Sequence, residues 1–304
     1  MKGKLKRNTR VNQWPLHLML LPGVILLFIF SYVPMMGIVI AFQKYNPAKG
    51  FIFTQTFNGL DNFEYIFSIP NIWQVVWNTV YMAVAKIILG MIVPIVVALL
   101  LNELRSKAFK RTVQTVIYFP YFLSWIILTG VFTDILSPTD GIVNQFLGLF
   151  GIEPIYFLGD KNWFPITMII TDVWKGFGFG TIVYLASITG IDPTLYEAAQ
   201  IDGASRWRQT WHITLPGMRM IIVLMLTLSL GNVLNAGFDQ IFNMYNNLVM
   251  KTGDILDTLV YRLGLQQMQY GPSTAVGLIK SVVSCALISV SYFVAYKAFD
   301  YQLF

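Results

Sequence analysis

Between two apolar stretches of this 304-residue chain, residues 197–217 read EAAQIDGASRWRQTWHITLPG. Glu197 and Asp202 could carry protons or form ion pairs, Arg206 and Arg208 could fork onto carboxylates or phosphates, and His212 could titrate near neutrality. Catalysis would also need a nucleophile–base pair or a metal set. His17 and His212 are the only histidines, so neither an H-E-x-x-H zinc site nor a triad within the membrane can be built. No G-x-x-x-x-G-K-[ST] run exists to cradle ATP phosphates. Gly176-Phe177-Gly178-Phe179-Gly180 is not a dinucleotide fingerprint, because Thr181 stands where the last glycine belongs. It reads as small residues that let helices approach, or as a local kink. A single cysteine, Cys285, excludes an intramolecular disulfide and falls in an apolar run.

The elements that hold this polar stretch are written in the composition. The chain is 56% hydrophobic and 12% charged, where soluble domains carry roughly a quarter charged residues. Such a deficit fits lipid as the solvent. Six stretches approach the roughly 20 apolar residues that a bilayer requires: 16–43, 79–101, 113–136, 164–190, 217–236 and 274–297. The first follows Lys2, Lys4, Lys6, Arg7 and Arg10, but it is too long for a signal peptide and lacks an A-x-A-like end, so it reads as a retained helix. The fold class expected is an all-α bundle of six membrane helices in one domain, residues 1–304.

Charge fixes the expected orientation. Thirteen Lys and Arg lie at the two termini, in 102–112 and in 191–219, against five on the other side (Lys44, Lys49, Lys161, Lys251, Arg262). The positive-inside rule then places both termini and 192–216 in the cytoplasm. That asymmetry accounts for the net charge of +6 without nucleic acid. The longest outer loops, 44–78 and 237–273, are too short for a soluble catalytic domain.

Within the polar stretch, Asp192-Pro193 is a helix start, with Thr194-x-x-Glu197 as a competing capping box. Gly203 interrupts that helix, Ser205 can cap a second short helix through Trp211, and Pro216 separates it from the next span. The surface carries Trp207, Trp211, Arg206, Arg208 and Glu197 without one clean apolar stripe, which suits a protein contact better than a membrane anchor.

Glu197-Ala198-Ala199, Gly203 six residues after Glu197, and Ile213-x-Leu215-Pro216 closely resemble the EAA motif of binding-protein-dependent ABC importer permeases. Asp202-Gly203-Ala204 resembles the DGA form of the carbohydrate-uptake branch, and Gly59-Leu60-Asp61-Asn62-Phe63 with Trp73 and Asn78-Thr79 resembles the stretch before the second span of sugar permeases. Trp211 departs from the usual phenylalanine. The likeness is greatest to the oligosaccharide and polysaccharide type and covers essentially the whole chain.

The resemblance implies a type I importer permease in a bacterial cytoplasmic membrane. It would work with a homologous second permease, two ATPase subunits and an extracytoplasmic binding protein that delivers an oligosaccharide. ATP and Mg would be used by the ATPases, with no cofactor on this chain and no catalysis by it. Glu197, Ala198, Ala199, Asp202, Gly203, Ala204, Ile213, Leu215 and Pro216 would form the segment seated on an ATPase, Glu197 as the charged contact and Gly203 as the corner.

The resemblance further implies that the substrate passes between the two permeases near mid-membrane. Asn232, Asn235 and Asp239 share a helical face at i, i+3 and i+7 of the fifth span and are candidates to line that path. Trp174 could stack on a sugar ring, and Lys175, Lys86 or Lys280 could meet a carboxylate, favouring an acidic oligosaccharide. The competing reading pairs Lys175 with Asp172 at i−3. A secondary transporter or channel would share the helical architecture, but the two halves show no convincing repeat and the spans few carboxylates for ion coupling.

Overall fold

The computed structural model describes residues 14–50 and 52–299. Lys2, Lys4, Lys6, Arg7 and Arg10, on which the N-terminal orientation rests, lie outside the described residues, as do the last five positions. The helices are α1 (Trp14–Phe42), α2 (Asp61–Ser68), α3 (Ile72–Glu103), α4 (Lys107–Phe122), α5 (Trp125–Ile135) and α6 (Ile142–Gly148). They continue as α7 (Trp163–Thr189), α8 (Pro193–Ile201), α9 (Arg206–Leu230), α10 (Phe238–Met244), α11 (Met250–Gly253), α12 (Leu256–Tyr261) and α13 (Tyr270–Phe299). No strand forms among the described residues. Lipid offers backbone groups no hydrogen-bond partner, and helices satisfy those groups internally.

Five helices, α1, α3, α7, α9 and α13, are long and apolar enough to cross a membrane. The expected span 113–136 is not one rod. It consists of α4 and α5, bent by 105° across a two-residue break. Pro120 cannot donate a backbone hydrogen bond and sits in a tight 3₁₀ turn, Phe119–Phe122. Ser124 then restarts the helix, its hydroxyl accepting from the Ile127 amide at 3.3 Å.

Two further expectations are corrected in α9. The second short helix through Trp211 does not stop before Pro216; it runs without interruption into the membrane as far as Leu230. A π-turn at Thr210–Thr214, closed by the Leu215 amide on the Thr210 carbonyl, widens the helix just before the proline. Such a turn changes the hydrogen-bond register where proline lacks a donor. At its far end the helix stops at Leu230, not 236, and residues 231–237 are turn and irregular backbone up to Gly237, whose φ is +92°. Asn232, Asn235 and Asp239 therefore do not share one helical face.

The largest helix interface joins α3 and α7. Glycines let α7 approach both neighbours: an added Cβ on Gly180 would lie 3.1 Å from the Pro94 ring of α3, and one on Gly178 only 1.9 Å from the Ile117 carbonyl of α4. The glycine run thus serves close packing. Between helices in lipid, where apolar burial gains little, such contact is what holds the bundle.

Three buried clusters stack along the molecule. One, near α8, gathers Ala98, Leu101, Tyr184, Leu185, Ile188 and Met218. The other two lie at the opposite end and draw in Ile241, Val249, Ile255, Leu256, Leu259 and Leu263 from the 237–273 connection. That connection is a folded cap on the bundle. Asn62 donates to the Ala41 and Gln43 carbonyls at 2.9 and 3.0 Å, tying α2 to the end of α1. Asn78 donates to the Lys251 and Asp254 carbonyls at 3.0 and 3.1 Å, and Thr79 accepts from the Leu256 amide at 2.9 Å. The polar residues of the second resembling stretch are the fasteners of this cap.

Orientation is open to a direct measurement. Lys49 and Lys251 are exposed on the cap side, and Arg105 is exposed between α3 and α4. In a background lacking Cys285, cysteine at 49 or 251 should react with an impermeant thiol reagent on intact cells or protoplasts, and cysteine at 105 only after permeabilisation. Labelling of 105 on intact cells would invert the topology.

Candidate functional site

The polar segment is built by local capping. Asp192 accepts from the Thr194 amide at 3.0 Å, and this bond holds its carboxyl below the ordinary carboxylate range. Pro193 occupies the first turn of α8, so Thr194-x-x-Glu197 is not the cap that is used. At the other end the Ala204 amide bonds the Ala199 carbonyl at 2.8 Å and the Gly203 amide the Gln200 carbonyl at 3.1 Å. This pair of bonds is a Schellman closure, with Gly203 at φ +74° as the left-handed residue it requires. Ser205 then caps α9 through the Arg208 amide at 3.4 Å.

Glu197, Ala198, Asp202, Gly203 and Pro216 are exposed, while Ala199, Ala204, Ile213 and Leu215 are half-buried. No cation pairs with Glu197 among the described residues, and Ile201 at the tip is 87% exposed. Trp207 and Trp211 stack edge-to-face at 5.9 Å, both exposed. Ile201 was legible as an isolated apolar residue directly before Asp202-Gly203, but composition gave no reason to single it out. Behind this surface, Arg206 pairs with Glu103 at the end of α3, and the Tyr196 and Thr214 hydroxyls lie 3.0 Å apart.

At the far end of α9 lie two adjoining clefts. The smaller, about 280 Å³, is lined by Lys86, Asp172, Ser229, Asn232 and Asn235. The larger, about 660 Å³, is lined by Phe238, Asp257, Tyr261 and Tyr270, and the two share Asn235 and Gly237. Asn235 donates to Asn232 at 3.2 Å, so the structure brings these two predicted residues together by a turn instead of a helix face. Lys280 bonds both Asp257 and Asn235. Phe238 and Tyr261 of the larger lining lie 5.6 Å apart and are backed by Phe242, at 5.1 and 4.6 Å from them, giving the larger cleft an aromatic wall. Asp257, Tyr261 and Phe238 went unnoticed in sequence because they fall in what reads there as a loop.

The remaining predicted residues lie elsewhere. Trp174 packs edge-on against Phe132 at 5.5 Å in a separate apolar groove between α5 and α7. Asp239 is exposed in the first turn of α10 and lines neither cleft. Lys175 does not pair with Asp172. Its ammonium donates to the Tyr121 carbonyl at 3.0 Å and rests over the Tyr121 and Trp125 rings at 5.2 and 5.5 Å. It thereby caps the carbonyl end of α4 at the bend. Asp172 is partnered instead by Lys86 at 3.6 Å. Asn235→Ala should raise the KM for uptake severalfold, whereas Lys175→Met should lower heat resistance of the purified protein and leave KM in place; the reverse pattern would favour Lys175 over Asn235 as a path residue.

A family profile described as the binding-protein-dependent transport system inner membrane component matches residues 86–301. The polygalacturonan/rhamnogalacturonan transport system permease protein YteP of Bacillus subtilis (strain 168) is 42% identical, covering 94% of this chain and 89% of that protein. Protein LplB of the same organism is 40% identical over 96% of this chain and 91% of its own length. A chain of the bacterial alginate ABC transporter in complex with alginate pentasaccharide-bound periplasmic protein superposes with a TM-score of 0.86 at 36% identity, covering 94% of this chain and 95% of that one. A second structure, of a bacterial ABC transporter involved in the import of the acidic polysaccharide alginate, gives 0.85 at the same identity. With a profile match over most of its length and relatives this similar end to end, the chain belongs to the family of binding-protein-dependent transport system inner membrane components, the permeases of ABC importers.

Proposed function

We propose that this chain is one of two permease subunits that together form the membrane path for an acidic oligosaccharide, delivered by an extracytoplasmic binding protein and driven by two ATPase subunits. One observation carries the reading. Helix α9 starts three residues after the exposed Gly203 corner and runs without a break to Leu230, where its Ser229 lines the cleft with Asn232 and Asn235. Its 25 residues span about 37 Å at 1.5 Å per residue, comparable to a membrane. A subunit that grips α8 and moves it displaces the same rod whose far end borders the cleft.

The mechanism is a two-state bias. ATPase closure favours the arrangement in which its surface fits Glu197, Ala198 and Ile201 best, and the permease follows by as much as that preference differs between states. The acidic class is supported by the substrates named for the relatives. The lysines within the spans give it less support than their number suggests, since Lys86 and Lys280 are already neutralised by Asp172 and Asp257. The larger cleft and its aromatic wall suit a sugar ring of either charge.

The test is uptake into proteoliposomes holding the purified complex. Oligogalacturonide import is expected only with the ATPase subunits, internal ATP and external binding protein together, and weaker import of a neutral oligosaccharide of equal length. Uptake driven by an ion gradient alone would replace this reading with a secondary transporter.

A further inference from the structure

The floor of the smaller cleft holds an ion pair whose two members are placed differently. Lys86 has 7% of its side chain exposed, and Asp172 has 34%. Lys86 directs its short hydrogen bonds elsewhere, to the Ala236 carbonyl at 2.7 Å and to Gln240 Oε1 at 2.5 Å, and reaches Asp172 Oδ1 only at 3.6 Å. Gln240 is itself held, its amide donating to the Met168 carbonyl at 2.8 Å and to the Thr171 hydroxyl at 2.7 Å. The ammonium is therefore fixed beneath the break that follows α9. The carboxylate above it accepts no closer bond among the described residues and borders the cleft beside Ser229, Asn232 and Asn235.

We propose that Asp172 is a substrate-binding residue, its carboxylate accepting hydrogen bonds from neighbouring hydroxyls of one sugar ring, while buried Lys86 cancels its charge and pins the turn that carries Asn232 and Asn235. The inference rests on the reading of this cleft as part of the sugar path. A carboxylate has about four acceptor sites and no donor, which matches adjacent hydroxyls and not an anion. Alone it would repel the carboxylates of an acidic saccharide. With Lys86 close below, the pair is neutral to a charge at a distance yet still offers strong acceptors at contact. At about 280 Å³ the cleft lies near the small end of ligand pockets, the size for one ring and not for a chain. Gly237 belongs to the same device. An added Cβ there would lie 3.1 Å from the Lys86 ammonium, so the backbone passes close over the cation.

Removing one member of a buried pair strands the other, whereas replacing both with apolar residues is often neutral or stabilising. The decisive variant is thus the double substitution Lys86→Met with Asp172→Leu, made in the assembled importer. It should assemble, with some loss of heat resistance, because no charge is left unpaired but the Ala236 carbonyl and Gln240 Oε1 lose their donor. Its KM for oligogalacturonide should rise about tenfold or more, the scale for losing hydrogen bonds to a charged group, and rise by more than the maximal rate falls. Asp172→Asn, which keeps an acceptor oxygen, should give a smaller rise. An oligogalacturonide with O-methylated ring hydroxyls should compete poorly for uptake by the wild type and lose less, relative to the unmodified sugar, in the double variant. A wild-type KM in the double variant, or in Asp172→Asn should the double variant not assemble, would overturn the proposal and leave the pair structural. If the wild-type complex imports no oligosaccharide at all, the reading of the path fails first and the proposal with it.

Discussion

Gly203→Val should abolish coupled transport while the chain still reaches the membrane. At φ +74° an L-residue pays about 1–2 kcal/mol to sit in the left-handed region, and a β-branched one pays more. No atom lies within 4 Å of an added Cβ, so the penalty is conformational and not a clash. The local answer to the strain is to open the Schellman closure, releasing the Ala199 and Gln200 carbonyls and turning α8 away from the start of α9. The exposed face of Glu197, Ala198 and Ile201 would then be presented at the wrong angle. A graded series follows. Asn, which tolerates this region, should be mildest, Ala intermediate and Val worst, in both uptake and substrate-stimulated ATP hydrolysis, at equal membrane levels. Normal uptake by Gly203→Val, or equal damage from Asn and Val, would remove the corner from the coupling route.

What could be read in the sequence was what neighbouring residues decide among themselves. The Asp192 and Ser205 caps and the Gly203 corner are of this kind, because each depends on a side chain or a φ within a few positions. What could not be read was decided at long range. Asp172 and Lys175 stand at i−3, but the helix hands Asp172 to Lys86 of α3 and Lys175 to the bend carbonyl of Tyr121. Prolines misled in both directions. Pro120 ends a helix that hydropathy reads as continuous, while Pro216 fails to end one because a π-turn precedes it. The end of α9 at Leu230 is equally hidden, since Val233, Leu234 and Ala236 are apolar residues buried in the bundle after the helix has stopped. Spacing groups Asn232, Asn235 and Asp239 as one helix face, whereas a turn brings the two asparagines together and leaves Asp239 apart in α10.

Gly178→Ala should destabilise the bundle far more than Gly176→Ala, although the two glycines share a helix and lie two residues apart. An added Cβ on Gly178 would stand 1.9 Å from the Ile117 carbonyl oxygen and 2.5 Å from its carbon, while nothing lies within 4 Å at Gly176. The obstacle is backbone, which no rotamer change can move, so α7 and α4 must separate. Overpacking of this kind costs about 1–3 kcal/mol, and Gly178→Val should leave little folded protein. At Gly176 the same methyl meets open space and removes a glycine from a helix interior, a change favourable by up to about 1 kcal/mol. The consequence reaches the bend. Lys175, adjacent to Gly176 and three residues before Gly178 in α7, donates to Tyr121 at the end of α4, so separating the helices also draws this cap away from the broken span. Heating the detergent-purified protein and measuring the fraction that still elutes as a sharp peak on size exclusion should rank Gly176→Ala at or above the wild type and Gly178→Ala several degrees below. Equal heat resistance in the two alanine variants would mean that α4 and α7 are free to part, and that the glycine run does not set their contact.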